Sequence, residues 1–410
     1  MKKKASKFVT EAARLVFTPF GRMLYGFKYK KYKQIKAPCL VLVNHTMTLD
    51  PIFVGSCFSF PINYVASDSL WRHKGISKLL EFLIHPIPKA KSMADLRTVK
   101  DIISIINQGG SVCVFPEGNR TFNGVTANMP DAIKKLIKKL RVPVVLLKGR
   151  GGHFTDPRWG NHRRKGKGSR PCIDLVRVIT PEEQDMYDAD AIMDMIKEAL
   201  DYNAFEDQKA LPQRYKGPNL AESIERVLFT CPECKAMDMY SKGAFFGCRR
   251  CGLKIEFTEY AEFKPVSGGL PFENIYEWDK WQIQYIRESD FGLIKDGDVI
   301  TEDASKIFLF DITRWGKRDV ISKNGSLALY KDKLAYTYKK GKKEQVFTVF
   351  LSDIEVATVQ GKKKFQIHTS DGRALLFKPH SPSFSPYKYM VLVYRLKAYA
   401  ENKEFDFYGI

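Results

Sequence analysis

His45 and Asp50 lie in the run Asn44-His45-Thr46-Met47-Thr48-Leu49-Asp50-Pro51, directly after the apolar segment 39–43. A histidine at the end of a buried strand suits general-base chemistry, because its ordinary pKa of about 6.5 lets it take a proton near neutrality. A carboxylate on its other ring nitrogen would fix the tautomer and steady the imidazolium that forms. On one regular helix, residues five apart point about 140° apart, so the pair meets only if His45 lies at a strand-to-helix bend. Asp50 also fits a plainer role, an N-cap followed by proline at the first helical position.

A second set of chemistry-bearing residues is Cys231-x2-Cys234-x13-Cys248-x2-Cys251. Two Cys-x2-Cys knuckles at this interval close a tetrahedral thiolate site around Zn2+. Four protein ligands leave no open position, so the metal is expected to be structural, in a zinc ribbon over residues 225–260. The other cysteines, Cys39, Cys57, Cys113 and Cys172, are scattered through apolar runs. That usage fits a reducing compartment rather than a disulfide scaffold.

Elements must position these residues. Apolar runs at 39–43, 62–65, 111–115, 142–147 and 172–178 read as strands. Amphipathic segments at 51–58, 76–84, 94–108, 130–140 and 189–203 read as helices. Their alternation predicts an α/β domain over residues 35–215, a central sheet flanked by helices. After the cysteine pairs, strand-like runs at 326–330, 333–338, 346–351, 355–359, 364–369 and 373–378 alternate with turn residues, and a helix follows from 386 to about 401. A mostly antiparallel β domain with a C-terminal helix is expected over 290–410. Its order resembles the pleckstrin-homology-like superfold in topology, which implies little about ligand.

The chain has 410 residues, 67 Lys+Arg against 46 Asp+Glu, and a net charge of +21. With 44% hydrophobic and 13% aromatic residues it is too apolar to be disordered. The excess sits in two places. Residues 1–36 hold 11 basic residues and one acid, and residues 130–170 hold 13 and two, while the remainder is neutral. The first patch accompanies Phe8, Val9, Ala12, Leu15, Val16, Phe20, Met23, Leu24 and Phe27 at helical spacing. It reads as an amphipathic segment over 1–34, broken or kinked near Pro19 and Gly21. Such a helix either lies in the headgroup boundary of an anionic membrane surface or packs on its own domain with solvated lysines. The second patch includes a glycine-bearing basic loop, 148–153 and 163–167. It could meet the phosphates of a ligand, lie on anionic lipid, or be simply solvated. Aromatic interleaving is nearly absent there, which argues against nucleic acid. No apolar stretch reaches the roughly 18 residues of a membrane span, and no signal-peptide core is present. The expected place is cytoplasmic, peripheral on the cytoplasmic face of the membrane.

The Asn-His-x4-Asp-Pro run resembles motif I of the glycerolipid acyltransferase family, the lysophosphatidic acid acyltransferases and their relatives. Val114-Phe115-Pro116-Glu117-Gly118-Asn119-Arg120-Thr121 resembles the family's Phe-Pro-Glu-Gly-Thr-Arg-Ser motif. Arg141-Val142-Pro143-Val144-Val145 is similar to its Val-Pro-Val strand, and Pro157-Arg158-Trp159 also suits bacterial members. The resemblance covers about residues 35–205.

It implies that His45 deprotonates the free hydroxyl of a lysophospholipid acceptor while Asp50 orients it. The alkoxide would attack the thioester of an acyl-CoA or acyl carrier protein donor, without an acyl-enzyme. Glu117, Gly118 and Arg120 would lie at the acceptor's glycerol-phosphate head. Asn119 and Thr121 replace the usual Thr and Ser and keep hydrogen-bonding capacity. Lys89 stands where the family's middle phosphate motif has arginine, and a lysine is a point charge without the bidentate fork. The implied activity is phospholipid synthesis by acyl transfer to lysophosphatidic acid. Another lysophospholipid, a non-catalytic membrane or protein platform, and a ribbon that binds nucleic acid are the alternatives. The C-terminal modules could equally serve a protein partner.

Overall fold

Leu40–Val43, four consecutive apolar residues, form a central strand with every side chain buried, as a parallel strand covered on both faces requires. The computed structural model in which it lies describes residues 3–67, 70–71, 74–89, 96–167, 171–304, 306–312, 318–381 and 383–405. They divide into two compact units, one of residues up to 157 with 163–216, the other of 158–162 with those from 217 onward.

The first unit opens with α1 (Lys7–Tyr25), β1 (Leu40–Val43), α2 (Asp50–Ser56), β2 (Ile62–Ser67) and α3 (Lys74–Ile84). Then come β3 (Ile87–Lys89), α4 (Leu96–Asn107), β4 (Ser111–Val114), α5 (Ala132–Leu140) and β5 (Val144–Arg150). It ends with α6 (Gly152–Thr155), β6 (Lys165–Lys167), β7 (Cys172–Ile179), α7 (Pro181–Met186), α8 (Ala189–Leu200), α9 (Ala204–Ala210) and β8 (Arg214–Lys216). The main sheet runs β3-β2-β4-β1-β5-β7. Its first five strands are parallel, and β7 returns antiparallel to β5. Alternation along β1 splits the core. Leu40 and Leu42 join Ile105, Ile137 and Ile196 of α4, α5 and α8 on one face, whereas Val41 and Val43 join Phe53 and Val54 of α2 on the other. Parallel strands all end at one edge, the place where ligands bind in such sheets.

Helix α1 departs from the sequence expectation, because it runs unbroken through Pro19. Tertiary packing offsets the missing N–H. Thr18 Oγ1 is 2.8 Å from Ser56 Oγ of α2, and a Cβ on Gly21 would come within 2.7 Å of the Phe53 ring. The buried positions of α1 are Thr10, Thr18 and Gly21. Its apolar residues face out instead, with Phe8 84%, Leu15 79%, Val16 64% and Met23 74% exposed. No helix among the described residues is long and apolar enough to cross a membrane.

The second unit begins with a four-stranded antiparallel ribbon of β9 (Met239–Lys242), β10 (Phe245–Cys248), β11 (Lys254–Phe257) and β12 (Phe263–Ser267), followed by α10 (Ile275–Glu288). Next are β13 (Thr301–Asp303), β14 (Ile307–Ile312), β15 (Arg318–Ser322), β16 (Gly325–Leu329) and β17 (Lys333–Lys340). The chain then forms β18 (Lys343–Phe350), β19 (Ile354–Gln360), β20 (Lys364–Thr369), β21 (Ala374–Pro379) and α11 (Pro386–Ala400). The strands make two sheets, β13-β16-β17-β18 and β15-β14-β21-β20-β19. Tyr389 of α11 locks the first of them, donating to Asp303 Oδ2 at 2.9 Å and to the Leu327 carbonyl at 2.8 Å. α10 escaped the sequence reading because its buried stripe is half polar, with Asp279 and Gln282 beside Ile275, Trp278 and Ile286. Gln282 earns its place by donating to the Val227 carbonyl and accepting from the Phe229 and Thr230 amides.

The close approach at Gly21 makes a prediction. Gly21→Val inserts carbon where Phe53 already sits and is expected to cost about 1–3 kcal/mol, as overpacking does. A thermal melt equal to wild type would show that α1 does not seat on α2 in this way.

Candidate active site

The loop between β1 and α2 is organised by one oxygen. Asp50 Oδ2 lies 2.8 Å from His45 Nδ1 and also accepts from the Thr46 amide at 2.8 Å and the Met47 amide at 3.0 Å. Asp50 is not a cap: α2 starts at Asp50 itself, and no side chain caps it. Its carboxylate reaches back to His45, which sits ahead of the helix at the bend that five-residue spacing demands. The Asp50 side chain is 2% exposed and that of His45 19%, so a buried acceptor carries a ring open on one side. With Nδ1–H donating to a carboxylate, Nε2 holds the lone pair that can take a proton. The ring stacks on Phe115 at 4.2 Å between centroids.

Glu117 and Arg120, from the loop after β4, lie at the same sheet edge. Glu117 Oε1 accepts from the His45 amide at 2.7 Å, and Oε2 from the Ala127 amide at 2.8 Å. It is a strut that joins the two loops. Gly118 turns the chain with φ +70°, where a side chain would be strained, although a Cβ there would meet no neighbouring atom within 4 Å. Arg120 Nη1 donates to Thr48 Oγ1 at 2.7 Å, while Nη2 bonds the Asp156 carbonyl and lies 3.3 Å from Asp156 Oδ2. Lys89 ends β3, the outermost strand, paired with Ser67. Three strand spacings, about 14 Å, separate β3 from β1 along that edge.

Several site residues were not legible beforehand. Asp156 Oδ2 also accepts from Thr48 Oγ1 at 2.7 Å and the Thr48 amide at 3.3 Å, across 108 residues of sequence. A Cβ on Gly152 would lie 2.2 Å from Thr46 Oγ1, so only glycine lets α6 back onto the histidine loop. The Gly151-Gly152 pair was the one visible signal of that approach.

The stretch expected as a basic loop is ordered structure. β5 runs on through Arg150, whose guanidinium pairs with Asp207 at 2.6 Å and Asp174 at 3.3 Å. Lys134 meets Asp190 at 2.5 Å, Arg141 meets Asp185 at 2.5 Å, and Arg164 is 4% exposed. Three of the thirteen basic residues of the second patch, Lys134, Arg141 and Arg150, are thus paired with acids from residues 174–207. Those acids are remote in sequence from their partners, so no local pattern marks the pairs. His153 is wholly buried beside Phe154 and Phe205, and neither ring nitrogen has a hydrogen-bond partner among the described residues. Burial, with the Arg164 and Arg120 charges adding to it, pushes its pKa down to about 3.

In the second unit the four cysteine sulfurs lie within 4.8 Å of one another, with Cys231–Cys251 and Cys234–Cys248 at 3.6 Å. A tetrahedral thiolate site with metal–sulfur bonds of about 2.3 Å needs sulfurs about 3.8 Å apart, so the set could hold a metal ion. The two knuckles match in backbone. The Cys231 and Cys248 amides donate to the carbonyls of Ala236 and Leu253, five residues on. Lys235 and Gly252, each next after the knuckle's second cysteine, both have positive φ, +62° and +80°.

Residues 26–146 match the acyltransferase family model. A protein of Mycoplasma pneumoniae named "Probable 1-acyl-sn-glycerol-3-phosphate acyltransferase" is 30% identical over 129 residues, 29% of this chain and 47% of that protein. The chain thus spans about half the length of that curated relative. Among solved structures, the 1-acyl-sn-glycerophosphate acyltransferase PlsC from Thermotoga maritima aligns over 50% of this chain and 81% of its own, at 16% identity and a TM-score of 0.38. The N-terminal PH domain of human ARAP2 aligns over 25% of this chain and 88% of its own, at 18% identity and a TM-score of 0.19.

His153 gives a pH prediction. Its folded pKa lies below the unfolded value of about 6.5, so on acidification the unfolded chain binds the proton first. The stability it contributes is complete above about pH 6.5 and is lost as pH falls toward 3, at about 1.4 kcal/mol per unit. Between pH 7 and 5 wild type should lose about 2 kcal/mol that His153→Leu does not. Parallel pH–stability curves for the two proteins would rule this out.

Proposed function

We propose, from an acyltransferase-family domain at residues 26–146, that the protein moves a fatty acyl group from a thioester donor to the free hydroxyl of lysophosphatidic acid. The observation that carries this is the 2.8 Å contact of His45 Nδ1 with Asp50 Oδ2, which leaves Nε2 as the base. His45 takes the proton of the acceptor hydroxyl as its oxygen attacks the thioester carbonyl. The tetrahedral intermediate collapses with loss of the C–S bond, and the imidazolium returns the proton to the departing thiolate. Asp50 steadies that imidazolium, and its two main-chain donors keep it in place. The donor is acyl-CoA or acyl carrier protein. The phosphate is taken by Arg120, with Lys89 farther along the edge, and the turn at Gly118 is open enough for a headgroup to approach the main chain.

Lys89 favours a second acceptor reading within the same chemistry. A point charge tolerates more headgroup geometries than a guanidinium fork, so another lysophospholipid is the competing substrate.

The outward apolar face of α1 supports a peripheral place on an anionic membrane, at its cytoplasmic face. Phe8, Leu15, Val16 and Met23 would enter the headgroup boundary, while the lysines of residues 1–36 meet anionic lipid. We assign Zn2+ to the four cysteines as a structural ion, and the bounds 1–34, 35–215, 225–260 and 290–410 to the helical segment, acyltransferase domain, ribbon and β-rich domain.

His45→Ala is expected to lower acyl transfer by about 10²–10⁴-fold while leaving the fold intact, the span typical of a lost general base. Full activity in purified His45→Ala would remove the assignment, and a wild type inert toward every acceptor and donor pair would favour a non-catalytic platform. Metal analysis should find about one zinc per chain. Lys235 Nζ sits over the Trp281 ring at 4.7 Å, so chelation should also change tryptophan fluorescence. A chain free of metal with an unchanged spectrum would count against zinc.

A further inference from the structure

Asp156 belongs to none of the motifs that point to acyl transfer, yet it touches two of them. One carboxylate oxygen takes both the amide and the hydroxyl of Thr48, three residues beyond His45, and lies 3.3 Å from the Arg120 guanidinium. Thr48 Oγ1 closes the triangle by accepting from Arg120 Nη1. The Arg120 and Asp156 side chains are only 12% and 10% exposed, so water competes weakly for these bonds. A guanidinium is planar, and with both terminal nitrogens engaged its plane is set before any ligand arrives.

We infer that Asp156 is a positioning residue that holds Arg120 at a fixed distance from His45, and so sets the enzyme's preference for acceptors bearing a phosphate at one separation from the reacting hydroxyl. This rests on the proposed acyl transfer. The buried carboxylate offsets part of the guanidinium's attraction for phosphate, and it gives a fixed geometry in return. Its effect is to order an arginine that would otherwise lose rotamer freedom on binding. Because the same carboxylate also grips Thr48, the base and the phosphate-binding cation are held in one register.

The test uses the purified full chain with lysophosphatidic acid and with monoacylglycerol, the same acceptor without its phosphate. Asp156→Asn keeps the size and one acceptor oxygen but removes the charge that aligns Arg120. The ratio of kcat/KM for the phosphorylated over the neutral acceptor should fall about tenfold, mostly through the acceptor's KM, with the donor's KM unmoved. Asp156→Glu, which restores a carboxylate, should recover part of the ratio. Should Asp156→Asn fail to fold, Thr48→Val removes only the bridging hydroxyl and should move the ratio in the same direction. An unchanged ratio in a folded variant, or equal losses with both acceptors, overturns the inference. If wild type transfers no acyl group, the proposed function fails. Calorimetric binding of lysophosphatidic acid then decides the inference alone, weaker binding by Asp156→Asn upholding it and equal binding refuting it.

Discussion

Asp50 Oδ2 accepts three N–H groups at once, from the His45 ring and from the Thr46 and Met47 amides. The rest of the candidate site depends on that convergence. A carboxylate is an acceptor only, so three donors aimed at one of its oxygens define where the loop must turn. The turn brings His45 out over the sheet edge and drops Asp50 into the first turn of α2. Everything else then braces it. Glu117 holds the His45 amide from β4's side, Asp156 holds Thr48, and Gly152 lets α6 lie directly against Thr46.

The strands and the histidine loop were legible because their signals are local. Uninterrupted apolar runs marked β1 and β5, and the His-x4-Asp spacing already required a bend between strand and helix. Whether Asp50 served as a cap or as the histidine's partner was not legible, since both roles use the same residue beside Pro51. Only the direction of its carboxylate decides, and that direction comes from the turn. Asp156 was invisible for a different reason. Its partners Thr48 and Arg120 are 108 and 36 residues away, and an Asp before a Pro carries no mark of either. α10 was hidden by polar residues in its buried stripe, where Gln282 serves main-chain groups that no local pattern exposes.

Charge taught a similar lesson. The two basic patches look alike as composition, yet folding separates them. Acids from α7, α8, α9 and β7 pair with Lys134, Arg141 and Arg150 of the second, so part of its charge is balanced within the fold. The first keeps its lysines beside an apolar face turned outward, because α1 seats through Thr10, Thr18 and Gly21 instead. α1 therefore buries its small and polar side and leaves Phe8 and Leu15 exposed.

The central claim, that a histidine set by Asp50 activates the hydroxyl of a lysophospholipid, is tested most directly by the identity of the product. Purified protein would be incubated with lysophospholipids that differ in headgroup, each with acyl-CoA and with acylated carrier protein, and the products weighed by mass spectrometry. A diacyl phospholipid heavier than the acceptor by one acyl group is expected, formed best from lysophosphatidic acid and lost with Asp50→Ala. No such product from any pair, or the same product at the same rate from Asp50→Ala, would contradict it.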